Sequence, residues 1–185
     1  MWFRKKPALS PMLVVAIRHD VAECLSHGGV HVEELIGALQ NVSKNLATTI
    51  HRLQPAWGHT DLAGAIACWT CSNVPTDFLQ NLGRGIERVR NGILSSLAEG
   101  KFPQMQFGVG MDVGQTLIGE DSARGSAVTG ADNLARLDCA NGSIVISREA
   151  ALKLNLEGSS FNEVAVPGAP AEARYITVVG LTEYS

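Results

Sequence analysis

The sequence predicts an α+β domain with a ferredoxin-like βαββαβ core and a C-terminal β/α extension. This prediction depends on two observations. Apolar residues recur at three- and four-residue spacing along two long segments, which indicates two amphipathic helices. Short apolar or alternating segments lie before, between and after these helices, and their glycine, proline and aspartate borders are typical of strands.

The first half of the chain predicts a strand, a helix and a hairpin. Residues 13–17 form a continuous apolar run, which is typical of a strand buried on both faces. A helix follows and ends before Pro55, because proline cannot continue it. Its apolar face comprises Val32, Leu35, Ile36, Leu39, Val42, Leu46, Ile50 and Leu53. Residues 56–60 and 63–71 then predict a hairpin around Asp61.

The second half predicts another helix and a series of strands. Thr76 or Asp77 can cap the helix, and Gly100 ends it. Its apolar stripe comprises Phe78, Leu79, Leu82, Ile86, Val89, Ile93, Leu94 and Leu97. Strands are expected at residues 104–111 and 115–118 around a turn at 112–114, then at 127–129, 143–146, 161–166 and 174–179, with a short helix at 130–137.

The length and net charge of the chain exclude some classes of protein. The chain has 185 residues and a net charge of −3, and it lacks the basic footprint of a nucleic-acid-binding protein. We expect an N-terminal tail at residues 1–11 and one domain at residues 12–185. The apolar stretch at residues 12–17 is far shorter than the ~18–20 residues of a membrane span. The sequence also lacks a secretory signal pattern, so we expect a cytoplasmic protein with no membrane span and no nucleic-acid partner.

The segment Cys68-Trp69-Thr70-Cys71 matches a C-x-x-C motif and allows two interpretations. A zinc site needs a second pair of ligands at suitable spacing, and the five histidines do not supply one. The motif also continues an apolar run, in which cysteine behaves as a small hydrophobic residue. We therefore favour buried thiols over a metal or redox site.

Four segments of the second half are informative as an ordered set. Residues 107–114 read FGVGMDVG before LIG at 117–119, residues 128–137 read VTGADNLARL, residues 142–147 read GSIVIS, and VPG at 166–168 precedes Tyr175. In order and spacing they resemble the glycine-containing hairpin, the asparagine–arginine helix, the next strand and the closing segment of the class III adenylate/guanylate cyclase catalytic domain. The first half of the chain agrees with that family in element order.

This resemblance implies a cyclase-homology fold that works as a head-to-tail dimer with shared sites. In the family, two aspartates hold Mg²⁺ or Mn²⁺ against a nucleoside triphosphate. Asp20 corresponds to the first of these metal ligands, and Asp61 is the candidate for the second. Arg136 corresponds to the arginine that stabilises the transition state. The family asparagine four residues earlier corresponds to Asp132, or to Asn133 if one residue has been lost.

Several positions depart from the family pattern. Glu23 lies where a glycine-containing turn should cradle phosphates, and Pro167 replaces a phosphate-binding lysine. Thr60 replaces the glycine before the second aspartate. His59 lies near a purine-reading position, although the base stays unassigned, and Arg124 joins Arg136 as a candidate for residual nucleotide binding.

The candidate residues also have ordinary structural alternatives. Asp61 can be a turn aspartate, since aligning Trp69 with the family's aromatic strand end puts Ala63 at the metal position. Asp132 and Arg136 can form an exposed i,i+4 ion pair.

Three functions follow as hypotheses. The first is a catalytically degenerate cyclase-homology domain in cyclic nucleotide signalling, a homodimer or a partner of a regulatory protein that needs no cofactor. The second is an active divergent cyclase that uses Mg²⁺ or Mn²⁺ to convert ATP or GTP to a cyclic nucleotide and pyrophosphate. The third is an unrelated ferredoxin-like binding scaffold.

Overall fold

A computed structural model describes residues 9–19, 32–97, 107–137 and 144–156. The strands are β1 (Ser10–His19), β2 (Trp57–Asp61), β3 (Gly64–Thr70), β4 (Phe107–Ile118), β5 (Ala123–Gly125) and β6 (Ile144–Ile146). The helices are α1 (Val32–Arg52), α2 (Phe78–Leu97), α3 (Ser126–Ala135) and α4 (Arg148–Lys153). None of them is both long enough and apolar enough to cross a bilayer, within these parts of the chain.

The strands form one sheet in the order β2-β3-β1-β4-β5, and β6 adds to β4 in parallel. The first four strands pair antiparallel, and their order confirms the ferredoxin-like core. β1 lies in the middle between β3 and β4. Its residues from Met12 to Ile17 are at most 2% exposed, as expected of a strand covered on both faces.

Helices α1 and α2 cover one face of the sheet and form the larger core with it. Alternate residues of β1 point into this core, namely Leu13, Val15 and Ile17. Trp69 is 1% exposed and packs edge to face against Phe78, with ring centroids 4.8 Å apart. Its indole Nε1–H donates to the Leu53 carbonyl oxygen at 2.8 Å, so the buried polar group is paired.

Helix α3 covers the opposite face with a stripe of small side chains. Ala127, Ala131 and Ala135 recur every four residues and pack on Met12, Val14 and Ala16 of β1. The neighbouring strand β4 presents Gly110 to the helix. A Cβ at this position would lie 2.0 Å from the Ala131 carbonyl oxygen, so the close approach of helix and sheet requires glycine.

The structure corrects two of the predicted elements. Residues 112–114 are not a turn, because β4 runs unbroken while β1 pairs with it from Ser10–Thr116 to His19–Phe107. That ladder overrides the turn tendency of Asp-Val-Gly. Residues 127–129 are not a strand, because they lie in α3 and Ala127 is fully buried against β1. In both places tertiary packing decides over local propensity.

Other differences concern boundaries and additions. β1 begins at Ser10, inside the segment predicted as a tail. The predicted strand at residues 143–146 is confirmed as β6, whereas β5 and α4 were not predicted. The strands predicted at 161–166 and 174–179 lie outside the described residues.

Candidate functional site

The candidate site lies where the C-terminal end of the central strand β1 reaches the border of the sheet; this border, formed by strand ends, is called the sheet edge below. Arg18 of β1 pairs with Gly64 in β3 and with Gly108 in β4, and Gly64 pairs in turn with Asp61 in β2. The β2–β3 turn and the end of β1 therefore share one edge. Asp20 follows β1 directly in sequence but lies outside the described residues, so its metal role stays a prediction.

A hydrogen bond ties the β2–β3 turn to β1. His19 is 8% exposed, and its Nε2 lies 2.5 Å from the Leu62 carbonyl oxygen, which accepts. The ring also packs on Phe107, with centroids 5.9 Å apart. These contacts fix the position of the turn relative to the strand end.

Asp61 is exposed, and its role in the structure is that of a turn residue. Its Oδ1 accepts a hydrogen bond from the Ala63 backbone N–H at 2.8 Å. Magnesium requires a near-octahedral set of oxygen ligands. In the ranges that the structure covers, no three His, Cys, Asp or Glu residues come together to hold a metal ion.

Asp132 forms the best-defined polar contact at this edge. The Nε–H of Arg18 donates to its Oδ1 at 2.5 Å, and the Nε–H of Arg136, one helical turn along α3, donates to its Oδ2 at 2.9 Å. Burial by itself would raise the pKa of Asp132, but the hydrogen bonds and charges of Arg136 and Arg18 outweigh burial and hold that pKa below its ordinary value. Asp132 is thus a carboxylate at neutral pH.

Sequence reasoning missed Arg18. The signal was present, because Arg18 follows Met12, Val14 and Ala16 at alternate positions of β1 and so projects toward α3. A long cation on an otherwise apolar strand face requires a partner, and Asp132 is that partner. The Arg18 side chain is 15% exposed, compared with 60% for the Arg136 side chain.

The remaining sequence candidates lie apart from this contact. Asn133 is exposed on α3. His59 of β2 is exposed and stacks on Trp57, with ring centroids 6.2 Å apart. Arg124 of β5 pairs with Leu117, toward the opposite end of β4 from Gly108. The structure therefore brings together Asp132 and Arg136, with Asp61 on the same sheet edge, but it does not bring Arg124 to them.

Of the C-x-x-C motif, Cys68 is a buried thiol. Cys68 is fully buried on β3, and burial raises its pKa to about 12. Metal binding and redox chemistry need a thiolate, which this environment disfavours. Cys71 is partly exposed, and both are free. The preference for buried thiols is confirmed for Cys68.

A second carboxylate, which the sequence did not single out, lies deeper under α3. Asp112 of β4 accepts a hydrogen bond from the Val113 N–H at 2.8 Å. A Cβ on Gly130 would lie 1.9 Å from its Oδ2, so the helix passes directly over the carboxylate. Burial raises the pKa of Asp112, and this effect outweighs the lowering by hydrogen bonds from Ser147 and Val113.

Comparison with known proteins gives likeness in structure alone. No family model matches the sequence, and no curated protein matches it significantly. An adenylate/guanylate cyclase/hydrolase from Silicibacter pomeroyi superposes with a TM-score of 0.61 at 14% identity, covering 92% of this chain and 95% of that one. The guanylyl cyclase Cya2 gives a TM-score of 0.59 at 14% identity, covering 92% and 90%. A non-canonical dimeric guanylyl cyclase domain of the RhoGC fusion protein from the aquatic fungus Blastocladiella emersonii gives a TM-score of 0.51 at 10% identity, covering 80% of this chain and 84% of that one.

Proposed function

Because this chain has the fold of a class III adenylate/guanylate cyclase domain, we propose that it is a cyclase-homology module that no longer makes cyclic nucleotides. In this proposal the chain acts in signalling as a homodimer or through a regulatory protein partner. The fold supports the cyclase-homology part. The loss of catalysis is inferred from the chain's own residues.

The observation that carries the proposal is the pairing of Arg136 with Asp132. In phosphoryl transfer, catalysis depends mainly on stabilising the negative charge of the transferring group. One arginine can accelerate such a reaction by a factor of ~10³–10⁵. Here the Arg136 guanidinium donates to a carboxylate of its own helix at 2.9 Å. An incoming triphosphate would have to displace Asp132 from Arg136 and would meet the repulsion of the Asp132 carboxylate.

Two sequence positions outside the described residues add to this argument. Glu23 places a negative charge where phosphates should bind, and Pro167 removes a lysine. Proline also lacks a backbone N–H that could donate to an anion. Each change weakens polyphosphate binding independently of Asp132.

Dimerisation is supported by the part of the sheet that α3 leaves open. α3 packs mainly on β1 and β4, and Cys68 of β3 is buried in the same core cluster, whereas β2 lies on the far side of β3 from α3. Trp57 and Ile66 are partly exposed on that face, and the nearby Leu62 is 46% exposed. Apolar surface at the open side of a sheet favours contact with a second protein surface.

Turnover and oligomeric state test the proposal directly. The purified chain is incubated with ATP or GTP and Mg²⁺ or Mn²⁺, and products are separated by chromatography. We expect no more cyclic nucleotide than from the Asp20→Ala variant, and sedimentation should show a dimer. Robust product formation that Asp20→Ala abolishes would refute the loss of activity.

A divergent active cyclase is the second candidate. It is favoured by one observation, namely that the Asp61 turn, the end of β1 and Arg136 of α3 lie at the same sheet edge. In that function Asp20 and Asp61 hold the metal and Arg136 stabilises the transition state. The same turnover assay separates the two candidates. A ferredoxin-like scaffold unrelated to cyclases has no comparable support.

A further inference from the structure

We infer that Arg18 and Arg136 form a two-arginine anion site, which Asp132 closes from within the chain and which takes a phosphate-bearing ligand when Asp132 is displaced. This inference rests on the proposed function, because it concerns the same turn of α3 and explains how that turn is kept from binding phosphate. It adds Arg18, which the cyclase resemblance does not assign.

Arg18 and Arg136 contact the same carboxylate. Arg18 comes from the end of β1 and Arg136 from the end of α3, and their Nε atoms contact different oxygens of one carboxylate, at 2.5 Å and 2.9 Å. Two guanidinium groups from separate elements thus converge on a single anion position. Guanidinium groups bind carboxylate and phosphate oxygens with the same planar geometry. The position that Asp132 fills is therefore suited to a phosphate oxygen pair.

Both residues that pair with Arg18 in the sheet are glycines. The partners of Arg18 in the two flanking strands are Gly64 and Gly108, so neither directly paired position carries a side chain. Gly64 has a φ of 142°, and a Cβ there would lie 2.0 Å from the Ile17 carbonyl oxygen. A side chain is thus strained at Gly64, so this position beside Arg18 favours glycine.

The contact between Arg18, Arg136 and Asp132 is not balanced in charge. Two guanidinium groups face one carboxylate, so the cluster keeps a positive charge after Asp132 is paired. A phosphate group with two negative charges can replace a carboxylate with one, and it brings further acceptor oxygens. The Asp132 side chain is 25% exposed, so it can turn toward solvent without entering the core.

Removing the carboxylate charge tests the inference. Titration calorimetry with inorganic tripolyphosphate is run on the unmodified chain and on Asp132→Asn, which keeps the size of the side chain. We expect Asp132→Asn to bind at least about tenfold more tightly, since a charged acceptor no longer occupies the two guanidinium groups. Adding Arg18→Met or Arg136→Met to Asp132→Asn should abolish that gain.

The control is Arg88→Met in the Asp132→Asn background. Arg88 is an exposed arginine of α2, on the other face of the sheet, so its loss removes the same net charge without touching the site. Affinity unchanged by Arg88→Met but lost with Arg18→Met supports the inference. Because Arg136 is largely exposed, Arg136→Met keeps the test valid if Arg18→Met impairs folding.

Two results would overturn the inference: equal affinity of Asp132→Asn and the unmodified chain, or a gain that survives loss of either arginine. A parallel titration with ATP distinguishes a nucleotide ligand, which binds more tightly than tripolyphosphate, from phosphate recognition alone. Turnover is not needed in either titration. Cyclic nucleotide formation by the unmodified chain would refute the proposed function and leave this measurement unaffected.

Discussion

Gly110→Ala offers a direct test of how α3 is held over the sheet. The added Cβ would lie 2.0 Å from the Ala131 carbonyl oxygen and 2.5 Å from the Ala135 nitrogen. Both atoms are backbone, so no side-chain rotation can relieve the clash. The helix must move outward by about 1 Å or more to restore van der Waals distance. That movement separates the alanine stripe of α3 from β1.

The cost follows from the loss of packing. Overpacking of a rigid site destabilises by ~1–3 kcal/mol, and the backbone contacts place Gly110→Ala near the upper end. For a chain of this size, 3 kcal/mol corresponds to a fall in Tm of roughly 6–12 °C. Urea unfolding followed by circular dichroism measures the free energy, and a thermal scan measures Tm. The outward movement of α3 should also lengthen the contact between Arg18 and Asp132.

Gly37→Ala in α1 is the matched control. A Cβ at Gly37 has no atom within 4 Å, so the same substitution adds helix propensity without a clash. We expect it to stabilise by ~0.5–1 kcal/mol. Opposite signs for the two variants support the packing argument. If Gly110→Ala stays within ~0.5 kcal/mol of the unmodified chain, the close approach of α3 and β4 described above is wrong.

Three further predictions concern ionisable groups. The folded-state pKa of Asp132 is lowered, so ionised Asp132 should make the unmodified chain more stable than Asp132→Asn at pH values above the unfolded aspartate pKa. This advantage should be lost as the pH falls through the folded-state pKa. Urea unfolding at a series of acid pH values measures it. The folded-state pKa of Asp112 is raised, so Asp112 should destabilise the chain increasingly as the pH rises from its unfolded-state pKa through its folded-state pKa. At neutral pH, Asp112→Asn should therefore be at least as stable as the unmodified chain. A less stable Asp112→Asn would contradict the role assigned to burial. Cys68, with a pKa of about 12, should resist alkylation at pH 8 in the folded chain, whereas Cys71 reacts first in peptide mapping by mass spectrometry. Equal labelling of both would show that Cys68 is accessible as a thiolate.

The fold was largely predictable because its signals are periodic. The helix predicted up to Pro55 is α1, and the stripe that begins at Phe78 is α2, with bounds close to those expected. The apolar stripe of such a long amphipathic segment indicates a helix without knowledge of what the helix packs against. The hairpin around Asp61 also needed only local turn chemistry.

The wrong predictions concern segments whose conformation depends on residues that are distant in sequence. Asp-Val-Gly at residues 112–114 is a good turn in isolation, but β1 supplies a complete ladder opposite it. Ala127 and its neighbours favour a strand locally, yet their burial against β1 makes them helical. Neither partner is visible within the short window from which local propensity is judged.

The candidate site was predictable only in part. The i,i+4 spacing of Asp132 and Arg136 predicted their ion pair, because helix geometry alone brings them together. Arg18 is more than a hundred positions away in sequence, and only the sheet and α3 together bring it to Asp132. The metal ligands Asp20 and Asp61 stay a prediction drawn from the family resemblance.

The central place of β1 has a consequence for biosynthesis. This strand is synthesised before both of its neighbours, β3 and β4, and β4 follows only after α2. Its apolar residues from Met12 to Ile17 therefore lack their second ladder partner until residues 107–118, beyond the midpoint of this sequence, have been translated. Such a segment is a natural target for chaperones that capture extended apolar peptides during translation.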